Sequence, residues 1–215
     1  MPNLPKAPDE WFNKKIQEGN GIFDPKSFNL MMKAVKNFRA ALDIGAHVGT
    51  WSIGMSKRFE SVYAFEPMET NFEYLLKNIK GIENIHPIKF AVGDKYIDVL
   101  MGNGKENSGQ SHIIPKDTRA YNDVNSISMI TIDEWLPIAC DVDLMKIDVE
   151  GYELGVLKGA KETIAKHSPI IQVELNGLSK RYGTEDNDVV NQLESMGYRL
   201  FGRENKDYVY IKDIH

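Results

Sequence analysis

The residues able to do chemistry fall in a few short blocks. Asp43-Ile44-Gly45-Ala46-His47-Val48-Gly49 sets an acid ahead of two glycines, and Phe65-Glu66-Pro67 places a second acid downstream. Lys146-Ile147-Asp148-Val149-Glu150-Gly151 carries a lysine and two acids, and Glu174 and Asn176 follow. Gly45 and Gly49 let the backbone turn tightly and come close to a ligand. An acid roughly 20 residues beyond such a turn is the usual way to hold a ribose, because a carboxylate accepts hydrogen bonds from both vicinal hydroxyls. The glycine spacing chooses among nucleoside cofactors. A dinucleotide site wants G-x-G-x-x-G, whose middle glycine admits the pyrophosphate. Here the pattern is D-x-G-x-x-x-G, and Asp43 would repel a pyrophosphate while suiting a cationic amino group. The pattern points to S-adenosylmethionine rather than NAD.

These blocks need a scaffold that gathers them. Ala41, Leu42 and Ile44 are apolar, as in a strand covered on both faces, and the residues from Thr50 open a helix. Ser61–Phe65 reads as a second strand, and Glu69–Lys80 as a helix with Phe72, Leu75, Leu76 and Ile79 as its stripe. Ile85–Val92 reads as a third strand and Ile97–Met101 as a further one, followed by an irregular stretch over 102–125. A loop that long inside a domain is usually functional. Ser126–Ile132 reads as a strand, Asp133–Pro137 as a capped helical turn and Val142–Asp148 as the fourth main strand. Glu153–His167 is expected as one helix, Pro169–Leu175 as the fifth strand, Asp188–Met196 as a helix, and Tyr198–Phe201 with Tyr208–Ile211 as a terminal hairpin. The alternation predicts an α/β, doubly wound, mostly parallel sheet, with ligands outside the carboxyl ends of its strands. Ahead of this domain, taken as residues 40–215, residues 1–39 hold two short helices. Asp9 caps the first (Glu10–Glu18), and the second runs from Pro25 to Asn37 with Phe28, Met31, Met32 and Val35 at helical spacing. This segment either packs at the domain edge or covers the substrate pocket.

Bulk properties narrow the partners. The net charge is −5, with Lys and Arg not gathered in a stripe, so nucleic acid is not the expected partner. The single cysteine, Cys140, rules out a disulfide within the chain and a thiolate zinc site. The opening residues have no apolar h-region and no run reaches membrane-spanning length, so the expected location is the cytoplasm.

The blocks Asp43–Gly49, Phe65-Glu66-Pro67 with Asn71, Ala91-Val92-Gly93-Asp94, Lys146–Glu153 and Leu157-Lys158-Gly159-Ala160 resemble the FkbM family of class I S-adenosylmethionine-dependent methyltransferases. The resemblance covers about Ala40–Leu175, and its most specific part is Lys-Ile-Asp-Val-Glu-Gly. It implies a Rossmann-like sheet of order 3-2-1-4-5-7-6 with an antiparallel seventh strand and a methyl donor of S-adenosylmethionine. It further implies a hydroxyl acceptor, often on a sugar or a small metabolite. Residues 1–39 and 102–125 lie outside its motifs, and substrate choice is expected there. On this footing Asp43 and the backbone of Gly45, Ala46, His47 and Gly49 should hold the methionine end. Glu66 with Pro67 should hold the ribose, and Ala91, Val92 and Ser111 should surround the adenine. Asp148 is the first candidate to orient the acceptor or take its proton and also borders the cofactor; Glu150 is the second. Lys146, a lysine inside an apolar strand, needs a partner such as Asp148 or Glu174 and stands between a structural and a catalytic role. His112 could serve as a base near neutral pH. Asp148, Glu174 and Asn176 offer oxygen-type donors from adjacent strand ends, of the kind magnesium takes in catechol-type methyltransferases, but no metal is expected. Two rival readings remain, a cofactor-binding module without catalysis and an NAD-dependent oxidoreductase. The intact Asp148–Gly151 block argues against the first and the missing middle glycine against the second. The acceptor's identity and the oligomeric state are open.

Overall fold

In the computed structural model, which describes residues 4–102, 108–115, 124–136 and 140–213, strands and helices alternate as the apolar periodicity requires. In order they are α1 (Glu10–Glu18), α2 (Pro25–Ala34), β1 (Ala40–Ile44), α3 (Thr50–Ser56), β2 (Ser61–Phe65) and α4 (Glu69–Asn78). Then come β3 (Ile85–Ile88), β4 (Ala91–Val92), β5 (Ile97–Gly102), β6 (His112–Ile113), β7 (Val124–Ile130) and α5 (Ile132–Trp135). The chain closes with β8 (Val142–Ile147), α6 (Glu153–Gly159), α7 (Lys161–His167), β9 (Ile170–Glu174), α8 (Asp186–Ser195), β10 (Tyr198–Glu204) and β11 (Asp207–Lys212).

Seven strands form one sheet in the order β3-β2-β1-β8-β9-β11-β10. Its first five members pair in parallel, and β11 runs antiparallel to both neighbours. Counting these seven alone, the order is 3-2-1-4-5-7-6, the class I methyltransferase arrangement. The central strands are apolar on both faces because both are covered. Leu42, Ile44, Met145, Ile147 and Val173 pack on one side with Val156, Leu157, Ile164 and Leu193 of α6, α7 and α8. Ala41, Val62, Ala64 and Leu144 pack on the other with Phe28, Met31, Trp51 and Met55 of α2 and α3.

The structure departs from the expected elements in two places that shape the site. The third strand ends at Ile88, and Ala91-Val92 joins a second sheet of order β4-β7-β5-β6, parallel to β7. Pro87 suits the edge position β3 occupies, since proline cannot donate to a further ladder. The helix expected over Glu153–His167 breaks at Ala160. There Gly159 lies so close to the backbone of Gly93 that a Cβ would stand 1.8 Å from Gly93 O. Residues 103–107 and 116–123 of the irregular stretch, and Pro137 of the helical turn, lie outside the described residues. Among the described residues no helix is long and apolar enough to cross a membrane.

The segment before β1 is built into this core. The Asp9 carboxylate accepts from Phe12 N at 2.7 Å and caps α1. Asp24 caps α2, with Pro25 at its first position. Phe12 and Ile16 bury against Val48, just behind the β1 turn.

Candidate active site

The turn after β1 is set by three backbone constraints. Gly45 has φ +80, and a Cβ there would lie 1.8 Å from Asp148 O, so only glycine lets the ends of β1 and β8 come this close. Gly45 N and Ala46 N both donate to Phe65 O, at 3.0 and 2.8 Å. His47 takes φ +51, uncommon for a side-chain-bearing residue, and its N–H donates to Glu66 Oε2 at 2.9 Å. Glu66, 5% exposed, also accepts from Met68 N at 2.9 Å and Asn71 Nδ2 at 3.4 Å. Burial pushes its carboxyl up to about 7, against the pull of these donors.

A cavity of about 570 Å³ opens at the carboxyl ends of β1, β2, β8 and β9. Gly45, Ala46, His47, Glu66, Pro67, Ala91, Val92, Ser111, Lys146, Asp148 and Glu150 all border it. Three expected residues do not. Asp43 is fully buried beneath the turn, where its carboxylate accepts from Ser52 Oγ at 2.5 Å and pairs with Lys146 Nζ at 3.2 Å. Expected contact between Asp43 and the methionine end therefore gives way to support from below, because the neighbouring strand supplies the cation first. Gly49 faces α4 instead: a Cβ on it would lie 2.4 Å from Leu75 Cδ1. His112 is buried on β6 away from the cavity wall, its Nδ1 3.0 Å from Gln110 O, and burial lowers its basicity. It is therefore not placed to act as the base.

Lys146 sits beside Asp43 in the β1–β8 register. Its ammonium donates to Gly45 O at 2.5 Å and lies 3.6 Å from Asp148 Oδ2. Burial opposes its charge, but the Asp43 and Asp148 carboxylates outweigh it, so Lys146 is held above its ordinary value and stays cationic. Lys146 thus ties the turn after β1 to Asp148, just beyond β8.

Beyond β8, Asp148, Glu150 and Glu174 bring one carboxylate oxygen each within 4.8 Å of one another. Burial, then the Asp148 charge, raises Glu150 to about 8 and pushes Glu174 up as well. Lys146 supplies a counter-charge to Asp148, and the three carboxyl groups together are a donor set of the oxygen type that a divalent cation takes. Asn176 spends its amide on Glu174 Oε2 at 2.5 Å. Glu150 holds φ +57, an outlier of the kind that collects at functional sites. Glu153, buried, accepts from Gly151 N at 2.9 Å and Val149 N at 3.3 Å and so braces this turn.

Sequence reasoning left several wall residues unassigned. Trp11, Phe12, Phe23 and Asp24 bring the N-terminal segment to the cavity, Ser108 and Gln110 close another side, and Lys206 and Asp207 arrive from the terminal hairpin. The apolar spacing of α1 marks Trp11 and Phe12 as a face, but nothing local says what that face covers.

The sequence of residues 43–200 matches the model of the methyltransferase FkbM domain. No curated protein matches the chain. Among solved structures, a methyltransferase FkbM from Methylobacillus flagellatus is similar with TM-score 0.56 and 22% identity, covering 81% of this chain and 43% of its own. This chain thus spans less than half the length of that neighbour. A SAM-dependent methyltransferase from Aquifex aeolicus aligns with TM-score 0.51 and 17% identity over 96% of this chain and 98% of its own. An rRNA methylase from Streptococcus thermophilus aligns with TM-score 0.50 and 13% identity over 88% and 95%. The methyl donor is S-adenosylmethionine. The wall fits it, with a buried acid at the end of β2 for a ribose and backbone of the glycine turn after β1 open to the cavity. The match over residues 43–200, on a sheet of this order, shows that the chain belongs to the FkbM methyltransferase family.

Proposed function

We propose that the protein transfers a methyl group to a hydroxyl of a sugar, glycan or small metabolite. The observation that carries this reading is the make-up of one continuous cavity wall. Glu66, Asp148 and Glu150 all border the cavity, as does Trp11, 48% exposed. Asp148 and Glu150, which can bond acceptor hydroxyls, on the same wall as an indole that can lie against the C–H face of a ring, suit a polyhydroxylated acceptor.

In this reading Gly45, Ala46 and His47 hold the methionine end through the turn backbone, and Glu66 takes the ribose hydroxyls. Ala91, Val92 and Ser111 flank the adenine. When bound, S-adenosylmethionine supplies an electrophilic methyl group on sulfur. Asp148, paired with Lys146, accepts a hydrogen bond from the acceptor hydroxyl and points its oxygen along the line of displacement. Glu150, whose carboxyl burial raises to about 8, takes the hydroxyl proton as the carbon–oxygen bond forms and the carbon–sulfur bond breaks. The aromatic residues of α1 and Phe23 exclude water from the reacting atoms.

The test is methyl transfer from labelled S-adenosylmethionine to a panel of free sugars, oligosaccharides, phenols and amines, with products read by mass spectrometry. A methyl ether on a sugar or other alcohol is the expected product. Transfer confined to amines, or cofactor binding without any turnover across the panel, would replace this reading.

A further inference from the structure

Ser108 stands where four separated parts of the chain meet. Its Oγ donates to Asp9 Oδ2 at 2.6 Å, and its N–H reaches the same oxygen at 3.4 Å. His47 Nε2 lies 2.7 Å from the Ser108 hydroxyl. Asn71 Nδ2 donates to Ser108 O at 3.0 Å and also reaches Glu66 Oε1 at 3.4 Å. The joined parts are the cap of α1, the turn after β1, the first turns of α4, and the 108–111 segment that lines the cavity.

The protons in this network have one consistent arrangement. Asp9 is a carboxylate, held below its ordinary value by Ser108 and Phe12 in spite of partial burial, and it can only accept. The Ser108 hydroxyl has one proton, and Asp9 takes it. His47 must then donate from Nε2, which leaves Nδ1 as a lone-pair acceptor. Nδ1 is indeed buried with no hydrogen-bond partner among the described residues. Burial pushes His47 down to about 3, so the ring is neutral. The Phe12 ring packs 4.3 Å from the imidazole and closes it in. An orphaned buried acceptor and a left-handed backbone at His47 both cost stability. Both are tolerated at a residue whose N–H fixes Glu66.

We propose that Ser108 is a positioning residue for the cofactor, joining α1 and the 108–111 segment to the turn after β1 as a clamp that closes over the cofactor and holds Glu66 in place through His47 and Asn71. This rests on the assignment of Glu66 to the ribose. The clamp makes the segment before β1 part of the cofactor site.

The experiment measures S-adenosylhomocysteine binding by calorimetry and its release by stopped flow. Ser108→Ala is expected to raise the Kd about tenfold, mostly through faster release, and Ser108→Thr, which keeps the hydroxyl, to restore it. Nitrogen NMR of histidine-labelled protein should find the His47 proton on Nε2. In Asp9→Asn the amide oxygen stays with Phe12 N, so the amide N–H turns to Ser108, the hydroxyl reverses, and the His47 proton moves to Nδ1. Glu66→Ala separates the two assignments. Lost binding in Glu66→Ala with wild-type binding in Ser108→Ala overturns the clamp alone. Wild-type binding in both variants overturns the clamp together with the ribose assignment. A proton on His47 Nδ1 in the wild-type protein, or on Nε2 in Asp9→Asn, overturns the hydrogen-bond arrangement on which the clamp is built.

Discussion

Among single residues, Glu150 and Lys146 show how one strand end separates two tasks. Lys146 is charged, buried and committed to Asp43, Asp148 and the Gly45 carbonyl. A lysine so placed organises the turn and has no reason to lose its proton near neutral pH. Glu150 lies beyond the reach of that pairing, and burial lifts it to about 8. A general base works best when its pKa lies near the working pH. Methyl transfer to a hydroxyl should therefore rise with pH up to about 8 as Glu150 ionises. Glu150→Gln should lower kcat about 100-fold and remove that rising limb, while leaving the Kd for S-adenosylhomocysteine nearly unchanged. A pH–rate profile of both proteins checks this, and an unaltered profile would pass the role to Asp148. The acids at 148 and 150 are legible in the chain, being acids next to a glycine at a strand end. That Asp43 is taken by Lys146 is not, because the cross-strand register that pairs them joins residues about a hundred positions apart.

At the scale of elements, the site depends on turns that hold strand ends closer than side chains allow. Gly45 against Asp148 O is the one at the cavity, as close as Gly159 against Gly93 O. Gly45→Ala adds a Cβ at φ +80 and against backbone, which costs at least ~1–2 kcal/mol from the backbone conformation alone. The variant should bind S-adenosylhomocysteine at least about tenfold more weakly and melt at lower temperature. Calorimetry and a thermal melt read both effects, and wild-type affinity would mean the turn does not touch the cofactor. The division of the third strand into β3 and β4 was not legible. Ile85–Val92 is apolar throughout except for His86 and Lys89, and periodicity does not reveal which sheet an apolar pair will join. That division nevertheless places Ala91 and Val92 on the cavity wall. The break between α6 and α7 is similar: it follows from contact with Gly93, distant in sequence.

For the whole molecule, the buried acids give stability a definite pH dependence. Burial raises Glu66, Glu153 and Asp207 to about 7 and Glu150 to about 8, and raises Glu174 too. Above their ordinary values of 3.8 to 4.5 the folded state therefore holds more protons than the unfolded chain. Stability from these groups is complete below that range and is lost as pH rises through 7 and 8. His47 has the opposite sign: it is neutral in the fold down to about 3, so its contribution is lost as pH falls below 6.5. The cofactor-free protein should be most stable at mildly acidic pH and melt progressively lower toward about pH 8.5. Melts of the wild-type protein against Glu150→Gln and Glu174→Gln check the assignment. The alkaline decline should flatten in the variants, and a decline that persists undiminished would place its origin elsewhere. The N-terminal segment also belongs at this scale. Phe28 and Met31 of α2 share a core with β1 and β2, and α1 reaches the cavity, so the segment is continuous with the methyltransferase fold.

The sequence by itself determined the alternating α/β architecture, the family and the cofactor. Each of these is carried by local signals: apolar strands, glycines at turns, and acids at fixed offsets from them. Tertiary structure alone decided which of those acids reach the cavity, since burial and counter-charge come from residues far away in the chain. It keeps Asp43 and His112 off the wall and brings Ser108 and Trp11 to it, with Asp9 bonded to Ser108. Hydrogen bonds such as Asp9–Ser108 span 99 positions, and no periodicity or spacing within either segment encodes such a meeting. What the protein methylates is a matter of the wall those distant segments build together.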